Sequence, residues 1–434
     1  MNIAYIPALD GVRAVAMLVI MGYHGGVFLT NGGFYSLDTF FALSGFLITS
    51  LLVAEWRRTG TVRLREFWAR RARRLVAGLL LLLVAVAAFN AFLVTPGTYT
   101  HLRSDALSTL FYFANWHFIA IGSNYFDQTG NTSPLLHTWS LAVEEQFYLL
   151  WPLIVLGVLT IWRSLRALLV VCVVGTLASA SEMAVLYSPA GRNRVYYGTD
   201  TRAQALLVGA ALAVGIVLWA DRRARTGPRT GPRSGPRTGS GSEPSWSPQT
   251  QAGRAVMLTV GLGGVVGTAL LWILVSFNDS FAFRGGFLLA ALATAAVLAS
   301  VSCHQQSVLA RCLSVAPLRY IGRISYGMYL WHFPLFAYVD NAHTGLEGWE
   351  LFAVRAVATI AVATVSFYVV ERPIRQGRLL RNWRAWVATP VAVLTTVVAV
   401  LLGTVAQVAA APTASAPVSG SSGIYSGPPV KVLL

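Results

Sequence analysis

The chain has 434 residues, of which 55% are hydrophobic and only 12% are charged. Soluble domains carry about twice that charged share, and apolar runs of about 17 to 25 residues recur along the chain, so a soluble globular fold is excluded. The formal net charge of +16 would indicate nucleic-acid binding in a soluble protein, but the basic residues cluster between apolar runs, so we predict no nucleic-acid partner.

The apolar pattern predicts an all-α polytopic protein of the cell (plasma) membrane, with eleven transmembrane helices. In chain order they cover residues 8–29, 36–55, 75–94, 139–161, 167–187, 203–220, 255–276, 285–302, 324–340, 351–370 and 386–409. The arginines concentrate in every second connection, at 56–74, 162–166, 221–254, 303–323 and 371–385. By the positive-inside rule, the amino end is cytoplasmic and the carboxyl end is extracytoplasmic.

Three further segments do not form predicted spans. Residues 105–126 are apolar and aromatic, but a crossing there would move the arginine-rich loops outside, so we predict a re-entrant or interfacial element packed against protein. Residues 221–254 contain a four-residue repeat of Gly, Pro and Arg, which predicts a disordered basic cytoplasmic loop. Residues 410–434 are predicted to be an extracytoplasmic linker.

The first predicted span carries Arg13 and His24, which are unusual in a bilayer. Eleven residues apart on a helix, they share one face within about 20° and lie roughly 16 Å apart along the axis. A snorkelling arginine and a hydrogen-bonded core histidine would explain the pair structurally. Alternatively, His24 acts as a general base near neutral pH.

An arginine cluster follows in residues 67–74. Arg70 and Arg74 are four residues apart and Arg71 and Arg74 three apart, so both pairs share a helix face. Paired guanidinium groups bind phosphate or pyrophosphate bidentately. The alternative is a cytoplasmic flank with no ligand.

Residues 133–152 place two adjacent carboxylates at the entrance to an apolar span. His137 and Glu144 fall on one helix face two turns apart, and Ser140 lies one turn from Glu144. Glu145 points about 100° away, so Glu144 is predicted to be the more buried carboxylate. Its role is either catalytic or an ion pair with an arginine.

A second polar pair lies within residues 325–334, where Tyr329 and His332 are one turn apart in another span. Packing and hydrogen bonding explain this pair as well as catalysis does. The three cysteines show no metal-ligand spacing, so no metal site and no disulfide framework are predicted.

In this order, the elements resemble the acyltransferase 3 family of integral membrane O-acyltransferases. The resemblance rests on residues 7–14, the 13/24 spacing, 38–49, 67–74, 115–118, 133–152, 325–334 and 371–375. It covers about residues 5–376, so we assign 1–376 to an acyltransferase membrane domain and 386–409 to an additional helix. The match at 133–152 is the most specific.

The resemblance implies an acyl donor, usually acetyl-CoA, and delivery of the acyl group to a hydroxyl of a cell-envelope glycan. It implies catalytic roles for His24, Glu144 and Arg13, with Glu144 orienting or charging His24. Arg71 and Arg74 would bind the donor, although a register that uses Arg70 and Arg73 stays open. His137, Ser140, Tyr329 and His332 would support the site.

Other interpretations stay open at this point. A proton-coupled carrier or flippase would use His24 and Glu144 as a proton relay, and some relatives in the family acylate macrolides. The family is also often fused to an SGNH-type domain, and residues 431–434 resemble the first strand of such a domain. A fused or separate SGNH domain is therefore a predicted partner.

Overall fold

The computed structural model describes residues 5–27, 30–126, 132–226, 250–376 and 383–405, and these are helical or irregular with no strand. The α-helices are α1 (Pro7–His24), α2 (Ser36–Thr59), α3 (Leu64–Leu93), α4 (Leu102–Leu110), α5 (Ala114–Ala120), α6 (Trp139–Trp162), α7 (Leu165–Leu186), α8 (Arg192–Tyr197), α9 (Thr199–Thr226), α10 (Gln251–Leu274), α11 (Phe287–Cys303), α12 (Val308–Leu313), α13 (Ala316–Tyr338), α14 (Asn341–Thr344), α15 (Gly348–Ser366), α16 (Arg372–Arg375) and α17 (Trp383–Gly403). Short 3₁₀ turns precede α2 and α6, and π-helical turns precede α11 and α16. The predicted all-α class is confirmed.

Eight helical segments of the described chain are long and apolar enough to cross a membrane. They coincide with eight of the eleven predicted spans, so this is a multi-pass membrane protein. The other three predicted spans correspond to α1, α13 and α17. Helix α1 carries Asp10, Arg13 and His24, which lower its apolar content. The total of eleven crossings and the orientation of the termini stay predictions.

The first predicted span was too long at its carboxyl end. Helix α1 ends at His24 instead of residue 29, because Gly25 and Gly26 follow and Gly26 adopts φ 67° in the left-handed region. The amide of Gly25 still bonds the Met21 carbonyl at 2.9 Å. His24 therefore occupies the last helical position of α1.

The segment predicted to be re-entrant or interfacial contains α4 and α5. These helices have nine and seven residues and are too short to cross a bilayer. Tyr112 lies between them with φ 57°, in the left-handed region, so α4 and α5 do not form one continuous helix.

The predicted basic loop at 221–254 needs a correction at both ends. Residues 221–226 extend α9, where Asp221 pairs with Arg57 at 2.8 Å, and 251–254 open α10.

The remaining residues of that loop, 227–249, and the predicted linker at 410–434 lie outside the described residues. Helix α17 ends at Gly403, and the described residues end at 405. Residues 406–409 of the predicted span 386–409 therefore also lie outside the described residues.

Helices α1 and α13 pack backbone to backbone in their amino-terminal halves, at Asp10 and Gly322. A Cβ on Gly322 would lie 1.9 Å from the carbonyl oxygen of Asp10, so only glycine fits at that crossing. On the other side, α2 and α9 cross equally closely at Gly209, where a Cβ would lie 1.9 Å from the Ala42 carbonyl oxygen. These crossings set the positions of the polar side chains described next.

Candidate active site

A cavity of about 930 Å³ lies between α1, α2, α3, α9, α13 and α16. Its walls carry two carboxylates, Asp10 and Glu371, against eight arginines. The arginines are Arg13, Arg57, Arg58, Arg71, Arg74, Arg323, Arg372 and Arg375. We call this space the arginine cavity. Such an excess of guanidinium groups in a concave site favours a ligand with several negative charges.

The structure separates the two registers of the arginine cluster on α3. Arg71 and Arg74 line the cavity, and the Arg71 guanidinium lies 5.6 Å from the ring centre of Tyr148. Arg70 is 52% exposed and bonds Glu66 at 3.4 Å. Arg73 is exposed and donates to the Ala69 carbonyl oxygen of its own helix. Arg70, predicted as a donor-binding residue, therefore does not face the cavity.

Arg13 lines the same cavity, one helix turn from Asp10, whose carboxylate it contacts at 3.2 Å. The Tyr5 hydroxyl donates to the other oxygen of Asp10 at 2.5 Å. Within the described residues, no hydrogen bond joins Arg13 to His24. This agrees with the separation of roughly 16 Å along one helix face that the sequence predicts, and the catalytic role of Arg13 stays a prediction.

A narrower space of about 80 Å³ adjoins the arginine cavity and shares Arg13, Arg71 and Arg74 with it. We call this space the neck. Glu144 lies in its wall and accepts hydrogen bonds from the Ser44 and Tyr148 hydroxyls, the latter at 2.6 Å. Both Glu144 and Glu145 are partly buried.

Glu144 has no hydrogen bond to His24 in the described structure, and the role of Glu144 in orienting or charging that ring stays a prediction. The physical reason for the missing hydrogen bond is helix packing. Glu144 projects from α6 toward α2, where Ser44 contacts it, whereas His24 at the end of α1 faces α13.

The histidine cluster comprises His24, His137 and His332. The Nδ1 atom of His24 lies 2.9 Å from Nε2 of His332, and its Nε2 atom lies 2.6 Å from the Tyr125 hydroxyl. His137 stacks on Phe333 with ring centres 5.1 Å apart and lies edge-on to His332 at 5.4 Å. His137 and His332 are fully buried, and His24 is partly buried.

Tyr329 links the neck to the histidine cluster. Its hydroxyl lies 2.6 Å from the Ser140 hydroxyl and 2.9 Å from the His137 carbonyl oxygen. Tyr329 and Ser140 also line the neck. The structure thus brings the four supporting residues together and orders the site as arginine cavity, neck and histidine cluster.

Tyr125 contacts the histidine cluster at His24, and no sequence pattern indicated this residue. It follows α5 in an irregular segment, outside the membrane-spanning helices. Burial raises the pKa of its phenol well above the ordinary value, and neighbouring Tyr196 adds to the rise. The hydroxyl therefore keeps its proton and can donate a hydrogen bond to His24.

A second group missed by sequence analysis is the ion pair of Arg202 and Asp38. Arg202 lies one residue before the predicted span 203–220, but it belongs to α9, has 0% of its side chain exposed and bonds Asp38 at 3.0 Å. Its guanidinium carbon lies 4.1 Å from the ring centre of Phe287. It also lies 5.2 Å from the Tyr196 ring, 5.5 Å from the Phe41 ring and 5.8 Å from the Trp139 ring, so four aromatic rings lie around the Arg202 guanidinium.

The described residues contain no cluster of three or more His, Cys, Asp or Glu side chains arranged to hold a metal ion. The prediction that no metal takes part stays a prediction.

The family model and the relatives that match this chain are all described as acyltransferases or O-acetyltransferases. The model of a family described as an acyltransferase domain matches residues 6–372. The chain is 36% identical over 387 residues to the peptidoglycan O-acetyltransferase OatA of Listeria monocytogenes, covering 88% of this chain and 58% of that protein. It is 34% identical over 377 residues to the O-acetyltransferase OatA of Staphylococcus aureus, covering 86% of this chain and 57% of that protein. No solved structure matches the chain.

Proposed function

The chain belongs to the acyltransferase family whose domain model it matches, and from that membership we propose that it is a membrane O-acetyltransferase acting on a cell-wall glycan. The acetyl group would come from acetyl-CoA on the cytoplasmic side and pass to a glycan hydroxyl on the other side. The chain spans less than two thirds of the OatA relatives, whose names specify O-acetylation and, for the Listeria protein, peptidoglycan.

The arginine cavity is the observation that carries this proposal. Coenzyme A has a pyrophosphate and a further phosphate, and arginine binds phosphate oxygens bidentately. Eight arginines against two carboxylates give the cavity the charge such a ligand needs. Its volume of about 930 Å³ lies near the upper end of the ~300–1,000 Å³ typical of sites for small organic ligands.

The neck would direct the donor toward the histidine cluster, because Tyr329 in its wall contacts His137 and His332. With its phosphates at Arg71 and Arg74, the pantetheine arm would extend past Glu144 toward Tyr329. The thioester would then lie between the neck and His24. This orientation fits the predicted topology, since Arg57, Arg58 and Arg323 belong to segments predicted to be cytoplasmic.

The proposed acetyl transfer needs one general base, and a thioester between the neck and His24 would give that role to His24. His24 Nε2 would take the proton of the acceptor hydroxyl as its oxygen attacks the thioester carbonyl. The C–S bond then breaks while a C–O ester bond forms, and the proton passes from His24 to the departing CoA thiolate. Arg13 would pair with Asp10 in the wall of the arginine cavity and would not contact His24.

Binding of radiolabelled acetyl-CoA to the purified full chain tests the proposal. Hydrogen bonds to charged groups contribute about 1.5–3 kcal/mol, so Arg71→Ala and Arg74→Ala should each weaken binding by about 10- to 100-fold. Arg70→Ala and Arg73→Ala are matched controls on the same helix, and they should bind normally because both side chains face away from the cavity. Equal weakening by all four variants would contradict the proposal.

The acceptor is tested separately. Membranes that contain the protein should transfer labelled acetate to peptidoglycan as base-labile ester, and His24→Ala at equal membrane level should not. No observation favours a carrier or a macrolide acceptor. The SGNH domain stays a predicted partner, which sequencing of the natural reading frame past Leu434 would test.

A further inference from the structure

His24 and His332 form a hydrogen-bond chain whose direction the structure determines. Resting on the proposed function, which makes His24 the base, we infer that His332 is a positioning residue that fixes His24 in one tautomer. In that tautomer Nδ1 of His24 carries the proton, and Nε2 is free to accept one from a hydroxyl.

The direction is set first at His332. Its Nδ1 atom lies 2.7 Å from the Tyr329 carbonyl oxygen and 3.2 Å from that of Met328. A carbonyl oxygen only accepts hydrogen bonds, so Nδ1 must carry the proton. A neutral imidazole has one N–H group, so Nε2 of His332 is an acceptor.

The same reasoning then applies to His24. Its Nδ1 atom lies 2.9 Å from the Nε2 acceptor of His332, so His24 must donate from Nδ1. Its Nε2 atom therefore holds a lone pair, toward which the Tyr125 hydroxyl donates at 2.6 Å. The phenol thus occupies the direction from which an acceptor hydroxyl would give up its proton.

Packing prevents either ring from turning to another partner. His332 is fully buried and bonds the carbonyls of its own helix, so a ring flip would lose those bonds. The Phe333 ring lies edge-on to His24 with centres 5.0 Å apart, and the Phe336 ring lies edge-on to His332 at 5.9 Å. The tautomer is therefore set by α13 and not by solvent.

The arrangement parallels the orienting member of a Ser-His-Asp triad, except that the orienting group is a neutral imidazole. In such triads, loss of the correct tautomer reduces turnover by about 10⁴-fold with the geometry intact. A histidine acceptor stabilises the protonated base less than a carboxylate does, so we expect a smaller loss here, about 10²-fold.

Nitrogen-15 NMR of the purified full chain with labelled histidine tests the inference without any acceptor substrate. The His24 signals, assigned as those lost in His24→Gln, should show a protonated Nδ1 and an unprotonated Nε2. His332→Phe removes the acceptor and should shift the proton wholly or partly to Nε2. Tyr125→Phe is the control, since it removes the bond at Nε2 and should leave the proton on Nδ1.

Activity in membranes supplies the second arm. His332→Phe should lower acetyl transfer by about 10²-fold with unchanged acetyl-CoA binding, and His332→Gln, whose side-chain oxygen can accept from Nδ1–H, should recover part of it. A protonated Nε2 in the unaltered protein would overturn the inference, as would normal transfer by His332→Phe. If the NMR result holds but the unaltered protein transfers no acetyl group, the proposed function fails and the tautomer assignment stands.

Discussion

The arginine cavity and the histidine cluster differ in charge and in size. The cavity has about 930 Å³ of space and eight guanidinium groups. The histidine cluster has its rings within hydrogen-bond or van der Waals distance of each other, and its described hydrogen bonds run to neutral groups. The first region is suited to holding an anion by charge, and the second to moving a proton by geometry.

The separation of the two regions has a physical reason. A base must become positively charged during the reaction, and nearby guanidinium groups would oppose this strongly in a low-dielectric interior. The neck, with Glu144 in its wall, adjoins the arginine cavity, and Tyr329 in the same wall contacts the histidine cluster. Donor binding and proton transfer are thus assigned to different side chains, and each set can be substituted without the other.

The largest expected effect comes from removing the base. His24→Gln keeps a polar side chain at the end of α1 but cannot take a proton, and general-base catalysis contributes about 10²–10⁴-fold. Acetyl transfer should fall by that factor, measured as base-labile acetate on peptidoglycan. Acetyl-CoA binding should stay within about twofold, since His24 does not line the arginine cavity. Loss of acetyl-CoA binding in His24→Gln would contradict the proposed division between donor binding in the arginine cavity and proton transfer in the histidine cluster.

The next effect concerns stability of the bundle beside the histidine cluster. Arg202→Met leaves the Asp38 carboxylate buried without its cation, which costs about 3–5 kcal/mol. We expect a correspondingly lower free energy of unfolding in detergent. The double variant Arg202→Met with Asp38→Leu should recover most of the loss, because it removes both charges.

Arg70→Ala is the control for this measurement. Arg70 belongs to an exposed ion pair with Glu66, and such pairs contribute about 0–1 kcal/mol. A loss from Arg202→Met no larger than that from Arg70→Ala would contradict a structural role for the buried pair.

Sequence analysis predicted the eight spans that the structure supports, because apolar length is a local property. It also singled out His24 and Glu144 because each is costly in a bilayer, and the arginine cluster because its guanidinium groups share a helix face. It failed on contacts between helices. Helix periodicity gives the face of one helix but not its neighbour, so nothing indicated that the α1–α13 crossing would bring His332 to His24. Tyr125 lies in irregular chain, where no periodicity applies.

A smaller effect is expected at the neck. Glu144→Gln keeps the shape of the side chain but removes the charge that strengthens its hydrogen bonds from Ser44 and Tyr148. A loss of about 1.4 kcal/mol there would lower the turnover rate about tenfold. The turnover rate at saturating acetyl-CoA should change more than KM, because Glu144 faces the passage rather than the phosphates. A pure rise in KM would place Glu144 in the donor-binding region.

The smallest effect uses salt in place of a substitution. Raising ionic strength from about 0.1 M to about 1 M shortens the screening length from about 10 Å to about 3 Å. Binding in the arginine cavity depends on charge, but its walls are partly buried and are screened less than a surface, so we expect KM for acetyl-CoA to rise only about threefold. The turnover rate at saturation should not change, because the histidine cluster works through hydrogen bonds between neutral groups. Titration with potassium chloride measures KM and the turnover rate in one preparation. A turnover rate that falls with salt while KM stays constant would contradict the assignment of anion binding to the arginine cavity and of proton transfer to the histidine cluster.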